Sequence, residues 1–498
     1  MKRARSVYLG IDLGAASGRI VAGLWDGRTM KLDELHRFSN GPVYLGDTMR
    51  WDVLRFWTEI QTGLAAAGKK YGKQIVSVGA DTWGSDYVLL DRNSEILGQP
   101  FHYRDARTDG MMEKALRKMP RAEIFARSGT QFQPFNTLFQ LLALQEQSPE
   151  LLAQVDCLLL MPDFIHWCLC GSRGAEFTNA TTTQCLNPQN QKWAGDLLKK
   201  MGLPKDMFPK IVSPGTKLGT LRDSVSRQLG LEKIQVVAPA THDTASAVVG
   251  VPAAGKTNWA YISSGTWSLM GVEVGRACLS PRVLELNMTN EGGFGGTYRL
   301  LKNIMGLWLV QQCKRSFDGR GGENGYDALE RAAAAARPLR SLLNVNRAQF
   351  YNPPDMPRAI QDFCRETGQP VPKTKGELVR CAYESLALQY RRTLGWLEEL
   401  TGERIDVIHV VGGGSLNRML NQFTADACQR PVLAGPTEAT IMGNLLVQAS
   451  SAGEIGSLPE IREAVRCSSS ITTYEPAESD MWAEAAGRFA RLEQDYPA

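Results

Sequence analysis

Residues 8–22 read Tyr8-Leu-Gly-Ile-Asp12-Leu-Gly14-Ala-Ala-Ser17-Gly18-Arg19-Ile-Val-Ala. An apolar run, a turn of small residues and a second apolar run predict a β-hairpin. A looser copy, Trp259-Ala-Tyr-Ile-Ser-Ser-Gly265-Thr266-Trp267-Ser-Leu-Met270, returns near the middle of the chain. Because the copies divide the sequence almost evenly, they predict two α/β domains, each opened by a hairpin, over residues 1–250 and 251–498.

The composition is that of a globular protein with more than one domain. The chain has 498 residues, 43% hydrophobic and 22% charged, and at about 100 to 200 residues per domain this length predicts two or three domains. Lys and Arg number 56 against 52 Asp and Glu, a net charge of +4. That charge is too small for the footprint of a nucleic-acid or membrane-surface protein, so the expected partner is a small molecule at a local site.

Cysteine and histidine usage bears on location and metals. The ten cysteines are scattered with no CxxC pair, and the five histidines lie apart, which fits neither a disulfide framework nor a zinc site. With no signal-peptide pattern and no run of about 18 apolar residues, we expect a cytoplasmic protein with no membrane partner. Any metal should be a hard cation on oxygen ligands. Nothing in the sequence indicates the oligomeric state.

The turn of the first hairpin is suited to phosphate. Gly14 and Gly18 let the main chain approach phosphate oxygens closely, and Asp12 is a candidate for holding Mg²⁺ directly or through water. Taken alone, the same residues also fit an ordinary hairpin turn. The second turn, at residues 263–266, strengthens the interpretation as a phosphate site, because two such turns facing one cleft would clamp a polyphosphate.

Residues 250–257, Gly-Val-Pro-Ala-Ala-Gly-Lys-Thr, match the P-loop string G-x-x-x-x-G-K-[ST]. A P-loop needs a strand before it and a helix after it. Here a helix from Asp243 is predicted to lead in and a strand from Trp259 to lead out. We therefore interpret the match as a coincidence in a connection between domains, and substitution of Lys256 would test the alternative.

An acid near the middle of the chain is a candidate general base. Asp243 follows the apolar run Val236-Val-Ala238 and begins a predicted helix. One carboxylate there could accept the proton of a sugar hydroxyl that attacks a γ-phosphate. Helix N-capping is the structural alternative, and the two roles can coexist. His242 beside it is either a packed polar residue or a hydrogen-bonding partner of the substrate.

Three further segments are candidates for ligand contacts. Residues 301–313 are predicted as one amphipathic helix, which would put Asn303 and Gln311 about two turns apart on one face. Trp83 is either a stacking surface for a sugar or a core residue. A strand over residues 405–411 is predicted to run into Gly412-Gly-Gly-Ser415, with a helix over residues 416–428 whose first turn offers free N–H groups.

From about Tyr8 to about Gly456 the sequence resembles the FGGY carbohydrate kinases. The likeness also extends over these stretches: His36-Arg-Phe-Ser-Asn-Gly41, Asp81-Thr-Trp-Gly84, His102-Tyr-Arg-Asp-Ala-Arg-Thr108, Gln131-Phe-Gln-Pro-Phe-Asn-Thr137, Met161-Pro-Asp163, Asn290-Glu-Gly-Gly293 and Arg299-Leu-Leu-Lys-Asn-Ile304. The resemblance implies two actin-like or hexokinase-like (ribonuclease H-like) domains with a nucleotide and sugar cleft between them. It also implies ATP-dependent phosphorylation of the C1 hydroxyl of the ketose L-rhamnulose.

The resemblance carries roles onto matching positions. It implies Asp243 as the proton acceptor and Asp12 as the acid that helps to place Mg²⁺. The implied ketose site comprises Gly84, His242, Asp243, Thr244 and Asn303. The implied ATP contacts are Ala15, Ala16, Ser17, Gly18, Arg19, Thr266, Gln311 and Gly413.

Departures from the family pattern leave the substrate preference open. Ser85, Gln133 and Met305 stand at variable positions, so L-fuculose, xylulose and glycerol remain alternative acceptors. An actin-like ATPase that drives partner binding is the alternative from another class, and it predicts ATP hydrolysis that no small sugar stimulates.

Overall fold

The computed structural model describes residues 6–232, 234–255, 257–318, 323–477 and 480–497. Contacts divide the chain into two compact units. The first comprises Met1–Ala254, Glu273–Leu300 and Ala439–Ser469, and the second comprises Gly255–Val272, Leu301–Glu438 and Ser470–Ala498. The domain boundary at residue 250 stays a prediction, because these units are discontinuous in sequence and the predicted domains are two continuous ranges.

The strands within the described ranges are β1 (Ser6–Leu13), β2 (Ser17–Trp25), β3 (Met30–Ser39), β4 (Val43–Leu45), β5 (Thr48–Arg50), β6 (Ile75–Thr82), β7 (Tyr87–Leu90), β8 (Cys157–Leu160), β9 (Ala175–Glu176), β10 (Leu186–Asn187), β11 (Lys192–Trp193), β12 (Ile211–Val212), β13 (Thr216–Thr220), β14 (Gln235–Ala238), β15 (Trp259–Ser264), β16 (Trp267–Val274), β17 (Thr289–Gly292), β18 (Tyr298–Met305), β19 (Val407–Val411), β20 (Val432–Ala434) and β21 (Thr472–Tyr474).

The α-helices of the same ranges are α1 (Val53–Tyr71), α2 (Met111–Lys118), α3 (Arg121–Ser128), α4 (Thr137–Gln147), α5 (Pro149–Ala153), α6 (Met161–Cys170), α7 (Phe177–Ala180), α8 (Gly195–Met201), α9 (Asp223–Leu229), α10 (Asp243–Val249), α11 (Pro281–Glu285), α12 (Trp308–Asp318), α13 (Tyr326–Ala335), α14 (Met356–Glu366), α15 (Lys375–Thr401), α16 (Arg418–Cys428), α17 (Ala439–Ser451), α18 (Leu458–Ser468) and α19 (Asp480–Asp495). Across the described residues, none of these helices combines the length and apolar character that a bilayer crossing requires.

The first sheet has the order β13-β14-β6-β1-β2-β3. Strands β1, β2 and β3 pair antiparallel, whereas β6 and β14 run parallel to β1. Alternate residues of β1 face opposite sides of the sheet, as strand geometry requires. Leu9 and Ile11 join a core with α1 and α6, while Tyr8 joins a core with α10 and α17. Helices therefore cover both faces, which is an α/β architecture.

The second sheet has the order β17-β18-β16-β15-β19-β20-β21. Strand β15 pairs antiparallel with β16 and parallel with β19, and β19 runs parallel to β20. The order β3-β2-β1-β6-β14 of the first sheet thus recurs as β18-β16-β15-β19-β20. Both predicted hairpins are confirmed, and so is a duplicated α/β fold.

Several predicted elements match closely and one is wrong. Residues 376–400 carry apolar positions at helical spacing with no Pro, which predicts a long helix, and they lie within α15. The strand expected over residues 405–411 is β19. Residues 301–313, predicted as one helix, instead form the end of β18 and the start of α12. Asn303 therefore lies on a strand and Gln311 on a helix, not two turns apart on one helical face.

Tertiary packing explains this correction. Gly306, between β18 and α12, approaches the second hairpin so closely that a Cβ there would lie 2.6 Å from the backbone carbon of Trp267. Its N–H donates to the Thr266 carbonyl (3.2 Å), and the Leu307 N–H donates to the Gly265 carbonyl (3.0 Å). Sheet pairing and this close approach override the local helical pattern.

The context expected around the P-loop string is confirmed. Helix α10 ends at Val249 and strand β15 begins at Trp259, so a helix leads in and a strand leads out, the reverse of a P-loop. Lys256 lies outside the described residues.

Candidate active site

Three acidic residues meet at the carboxyl ends of neighbouring strands of the first sheet. Asp12 of β1 and Asp81 of β6 are direct partners in the parallel register. The Thr82 N–H donates to the Thr241 carbonyl (2.9 Å), which brings the chain past β14 alongside β6, and Asp243 follows. Ligands of open α/β sheets bind at this edge, outside the carboxyl ends of the parallel strands.

The proximity of the three acids affects the pKa of Asp81. Its carboxyl is fully buried, and its pKa lies well above the usual range because burial penalises the charged form and the charge of Asp12 repels it. Asp243 adds a smaller repulsion, while a hydrogen bond from Asn444 opposes the shift. Oδ2 of Asp81 accepts that hydrogen bond (2.5 Å), whereas Oδ1 is buried without a hydrogen-bond partner among the described residues.

Asp243 is the first residue of α10, and the N-cap position belongs to His242. Oδ1 of Asp243 accepts hydrogen bonds from the Thr244 N–H (2.5 Å) and hydroxyl (3.2 Å). Burial raises the pKa of Asp243, the neighbouring His242 counteracts this, and the charge of Asp12 adds to it. The side chain is 30% exposed. A reachable carboxylate with a raised pKa suits general-base chemistry, because a base works best when its pKa approaches the working pH.

The backbone that leads into Asp243 is fixed by the buried carboxylate of Glu176. Oε2 of Glu176 accepts from the Thr241 N–H (3.1 Å) and from the hydroxyls of Thr241 (2.7 Å) and Thr178 (2.6 Å). The Thr178 hydroxyl oxygen in turn accepts the N–H of His242 (3.1 Å). These bonds set where α10 begins and therefore where Asp243 stands.

His242 is in contact with three charged residues. Nε2 lies 3.4 Å from Oδ1 of Asp243, and Nδ1 lies 3.2 Å from Oε2 of Glu291 and 3.2 Å from Nη2 of Arg299. Arg299 and Glu291 form an ion pair at 3.1 Å, with side chains 0% and 4% exposed. His242 is therefore a packed polar residue beside Asp243, and its role as a hydrogen-bonding partner of the substrate stays a prediction.

Asp12 and Arg19 face each other across the first hairpin. Nε and Nη2 of Arg19 donate to Oδ2 of Asp12 at 2.9 and 2.8 Å. The turn between the strands is closed by the Gly14 N–H on the Ser17 carbonyl (2.9 Å) and by Asn40, which bonds the carbonyls of Gly14 and Ala16. Within the turn, Ala16 is exposed, Ala15 and Ser17 are half-buried and Gly18 is buried.

Gly84 lies at the end of β6 against Thr182. A Cβ on Gly84 would be 2.8 Å from the Thr182 hydroxyl oxygen, so the position has no room for a side chain. The neighbouring Trp83 is 6% exposed and its ring centroid lies 4.2 Å from that of Trp51. Both indole N–H groups donate to Oδ2 of the buried Asp86, at 3.0 and 2.6 Å. Trp83 is therefore a core residue.

The second unit brings its own predicted residues together. The Thr266 hydroxyl, in the turn between β15 and β16, donates to Oε1 of Gln311 on α12 (3.3 Å). The Gly412–Gly414 loop packs on Ser264 at the end of β15, where a Cβ on Gly414 would overlap the Ser264 hydroxyl oxygen. Gly413 is the middle residue of that loop. Asn303 lies on β18, half-buried.

Sequence reasoning missed three residues of the first unit's site: Asp81, Glu291 and Arg299. Asp81 follows the apolar run of residues 75–80, which is typical of a strand, so its position at the end of that run was a usable signal. Glu291 and Arg299 lie in stretches that carry the family likeness, but their neighbours give no local indication that they reach His242.

The acids fit a magnesium ion that arrives with a nucleotide. Among the described residues, no group of three or more His, Cys, Asp or Glu side chains is arranged to hold a metal by itself. Mg²⁺ is usually held by one or two carboxylates together with phosphate oxygens and water. The register-paired Asp12 and Asp81, the latter with its unpartnered buried Oδ1, provide that donor set.

Comparison with known proteins identifies the class. Residues 7–250 match the N-terminal domain, and residues 260–452 the C-terminal domain, of the FGGY family of carbohydrate kinases. The chain therefore belongs to the FGGY family of carbohydrate kinases. It is accordingly a phosphotransferase, with ATP as co-substrate and a small-molecule sugar as acceptor.

Individual relatives and solved structures are similar to this chain over almost its whole length. The chain is 42% identical to a rhamnulokinase of Bacteroides thetaiotaomicron, over 95% of this chain and 97% of the relative. It is 45% identical to a rhamnulokinase of Pectobacterium carotovorum, over 97% and 95% of the two chains. Among solved structures, ligand-bound xylulose kinase from Lactobacillus acidophilus has a TM-score of 0.81 at 15% identity, covering 99% of both chains. Plasmodium falciparum glycerol kinase with ADP has a TM-score of 0.78 at 15% identity, also covering 99% of both. These structures share the fold.

Proposed function

We propose that this protein transfers the γ-phosphoryl group of ATP to the C1 hydroxyl of L-rhamnulose. The observation that carries the chemistry is Asp243: a reachable carboxyl with a raised pKa, fixed at the carboxyl ends of the sheet strands. The substrate is inferred from relatives that are rhamnulokinases at 40–45% identity over at least 94% of this chain.

The two carboxylate oxygens of Asp243 have different roles. Oδ1 accepts two hydrogen bonds from Thr244 and lies 3.4 Å from Nε2 of His242, which leaves Oδ2 to take the proton of the C1 hydroxyl. The hydroxyl oxygen forms a bond to the γ-phosphorus, the bond from that phosphorus to the β–γ bridging oxygen breaks, and ADP leaves. Such transfers need alignment and charge neutralisation more than covalent help, so one carboxylate suffices as the base.

We assign the remaining residues to ligands in the same proposal. Gly84, His242, Thr244 and Asn303 would contact the ketose, and the nucleotide would lie on residues 15–19 together with Thr266, Gln311 and Gly413. Asp12 and Asp81 would hold Mg²⁺ beside the phosphates. When bound, the ion neutralises charge that develops on the phosphoryl oxygens. Two domains, over residues 1–250 and 251–498, and a cytoplasmic location belong to the proposal.

An assay of ADP release across acceptors tests the function. The protein is offered L-rhamnulose, L-fuculose, xylulose and glycerol with Mg²⁺ and ATP, and kcat/KM is compared. We expect L-rhamnulose to be preferred and the product to carry its phosphate on C1, which phosphorus and carbon NMR would locate. Preference for another acceptor would contradict the substrate, and ADP release that no acceptor stimulates would favour an actin-like ATPase instead.

A further inference from the structure

The contacts of His242 restrict where its ring proton can lie. Both ring nitrogens face charged groups: Nε2 faces Asp243, and Nδ1 faces Glu291 and Arg299, all within 3.4 Å. The His242 side chain is 8% exposed, so water has little access to either nitrogen. The ring proton must therefore be placed by these three neighbours.

Arg299 decides the neutral form of the ring. A guanidinium group has only donors, so Nη2 of Arg299 can bond Nδ1 of His242 only when Nδ1 carries no proton. The proton of the neutral ring then lies on Nε2 and points to Asp243. In a doubly protonated ring, the charge of His242 would lie at ion-pair distance from both carboxylates, with Nδ1 3.2 Å from Oε2 of Glu291 and Nε2 3.4 Å from Oδ1 of Asp243. The neutral ring with its proton on Nδ1 is disfavoured, because its Nε2 lone pair would face the carboxylate.

We propose that Arg299 is a positioning residue that keeps the proton of the neutral His242 ring on Nε2, where it faces Oδ1 of Asp243 at 3.4 Å. Arg299 is itself anchored, since its Nε donates to the Gly292 carbonyl (2.9 Å), and the ion pair with Glu291 compensates its buried charge. The ring thereby reserves Oδ1 of Asp243 and leaves Oδ2 for the substrate proton. This last step rests on the proposed function, whereas the proton position on the ring does not.

The proton position can be read directly by nitrogen NMR of ¹⁵N-histidine-labelled protein. The chain has five histidines, and His242→Gln assigns the His242 signals by their loss. In the neutral form of the ring, which a pH series of the His242 signals identifies, we expect wild-type Nδ1 to be unprotonated. In Arg299→Met, the Glu291 carboxylate is the charged group left beside Nδ1 among the described residues, so Nδ1 should become protonated. A protonated Nδ1 in the wild type, or an unchanged Nδ1 in Arg299→Met, would overturn the proposal.

A paired variant guards against simple unfolding. Arg299→Met removes the cation that lies 3.1 Å from the buried Glu291 carboxylate, whereas Arg299→Met with Glu291→Met removes both charges, a replacement that buried ion pairs often tolerate. Without a carboxylate at Nδ1, the double variant should return the proton to Nε2. A double variant whose Nδ1 stays protonated would show that Glu291 does not draw the proton to Nδ1 in Arg299→Met, and would contradict the proposal.

Kinetics then connects the proton position to catalysis. We expect Arg299→Met to lower kcat by about 10- to 100-fold, less than the full general-base contribution of about 10² to 10⁴, with little change in the KM values. The double variant should recover part of that loss. Arg462→Met, which breaks the part-buried ion pair with Glu273 (2.5 Å), is the matched control and should keep kcat. The expected spectra without any ketose kinase activity would contradict the proposed function and leave the positioning role intact.

Discussion

Replacing Asp243 by Asn changes one oxygen of the candidate site. The amide keeps the size of the carboxylate, and its own oxygen can still accept the Thr244 N–H that Asp243 Oδ1 accepts at 2.5 Å. Its nitrogen takes the place of Oδ2 and has no lone pair for a proton. The variant should therefore bind its substrates in place and fail at proton transfer alone.

The size of the effect follows from the role of the base. General-base catalysis contributes about 10² to 10⁴ in rate, which corresponds to about 2.7 to 5.5 kcal/mol in the barrier at 1.36 kcal/mol per factor of ten. We expect kcat of Asp243→Asn to fall within that range while KM for ATP and for the ketose stays within about threefold, since the carboxylate acts mainly on the transition state.

The same substitution, Asp243→Asn, should not lower the stability of the fold at neutral pH, although it lowers kcat. Burial raises the pKa of Asp243, so above the ordinary Asp pKa of about 3.9 the folded state holds this proton more strongly than the unfolded state, and stability falls as pH rises. Removing the carboxyl removes that penalty. The melting temperature of Asp243→Asn at neutral pH should equal or exceed that of the wild type, and the difference should shrink as pH falls toward about 4.

The assay follows ADP release at saturating ATP and L-rhamnulose, with thermal unfolding measured on the same preparations. Asp206→Asn, at an exposed position, is the control and should match the wild type in both. Near wild-type turnover in Asp243→Asn would refute the assignment of the base. A large loss of kcat together with a large fall in melting temperature would show a structural effect instead.

Three further outcomes follow from single side chains. Gly84→Ala should raise KM for the ketose and lower the free energy of unfolding by about 1–3 kcal/mol, because its Cβ would lie 2.8 Å from the Thr182 hydroxyl oxygen. The control is Gly395→Ala in α15, where a Cβ would meet nothing within 4 Å, and it should raise the free energy of unfolding by about 0.5–1 kcal/mol. Equal effects of the two substitutions would contradict this account. Burial raises the pKa of Asp86 to about 6, so the contribution of this carboxyl to the wild-type free energy of unfolding should fall by about 3 kcal/mol as pH rises from about 4 to above 6. Urea titrations of Asp86→Asn should lack this pH-dependent fall. Parallel pH curves of the wild type and Asp86→Asn would exclude the contribution. Asp12→Asn should raise the Mg²⁺ concentration for half-maximal activity by about tenfold or more, and an unchanged Mg²⁺ dependence in the ADP-release assay would remove Asp12 from the metal site.

The sequence alone was sufficient for the elements that local patterns determine. An apolar run ending in small residues predicted both hairpins, and the continuous apolar periodicity of residues 376–400 predicted α15 to within one residue at each end. Asp243 could be singled out because an acid that follows a strand and begins a helix lies at a predictable edge of a parallel sheet. These inferences needed no knowledge of distant contacts.

Other features depend on contacts that no local pattern encodes. Residues 301–305 look helical, yet they pair in the second sheet because Gly306 brings the chain against the turn at Thr266. Glu291 and Arg299 reach His242 from positions about 50 to 60 residues further along the chain. Their significance appears only when β14, β17 and β18 are placed in three dimensions.

A directed chain of buried hydrogen bonds holds Asp81 in place. The Ser77 hydroxyl donates to Oε1 of Gln448 (2.7 Å), Nε2 of Gln448 donates to Oδ1 of Asn444 (2.7 Å), and Nδ2 of Asn444 donates to Oδ2 of Asp81 (2.5 Å). Each amide can turn only by breaking two of these bonds, because its oxygen and its nitrogen have different partners. Apolar side chains at the two positions of α17 would fill the same space without fixing a direction. The polar pair among the apolar residues of α17 is therefore explained by what it does for Asp81: the helix holds one carboxylate oxygen and leaves the other without a hydrogen-bond partner among the described residues.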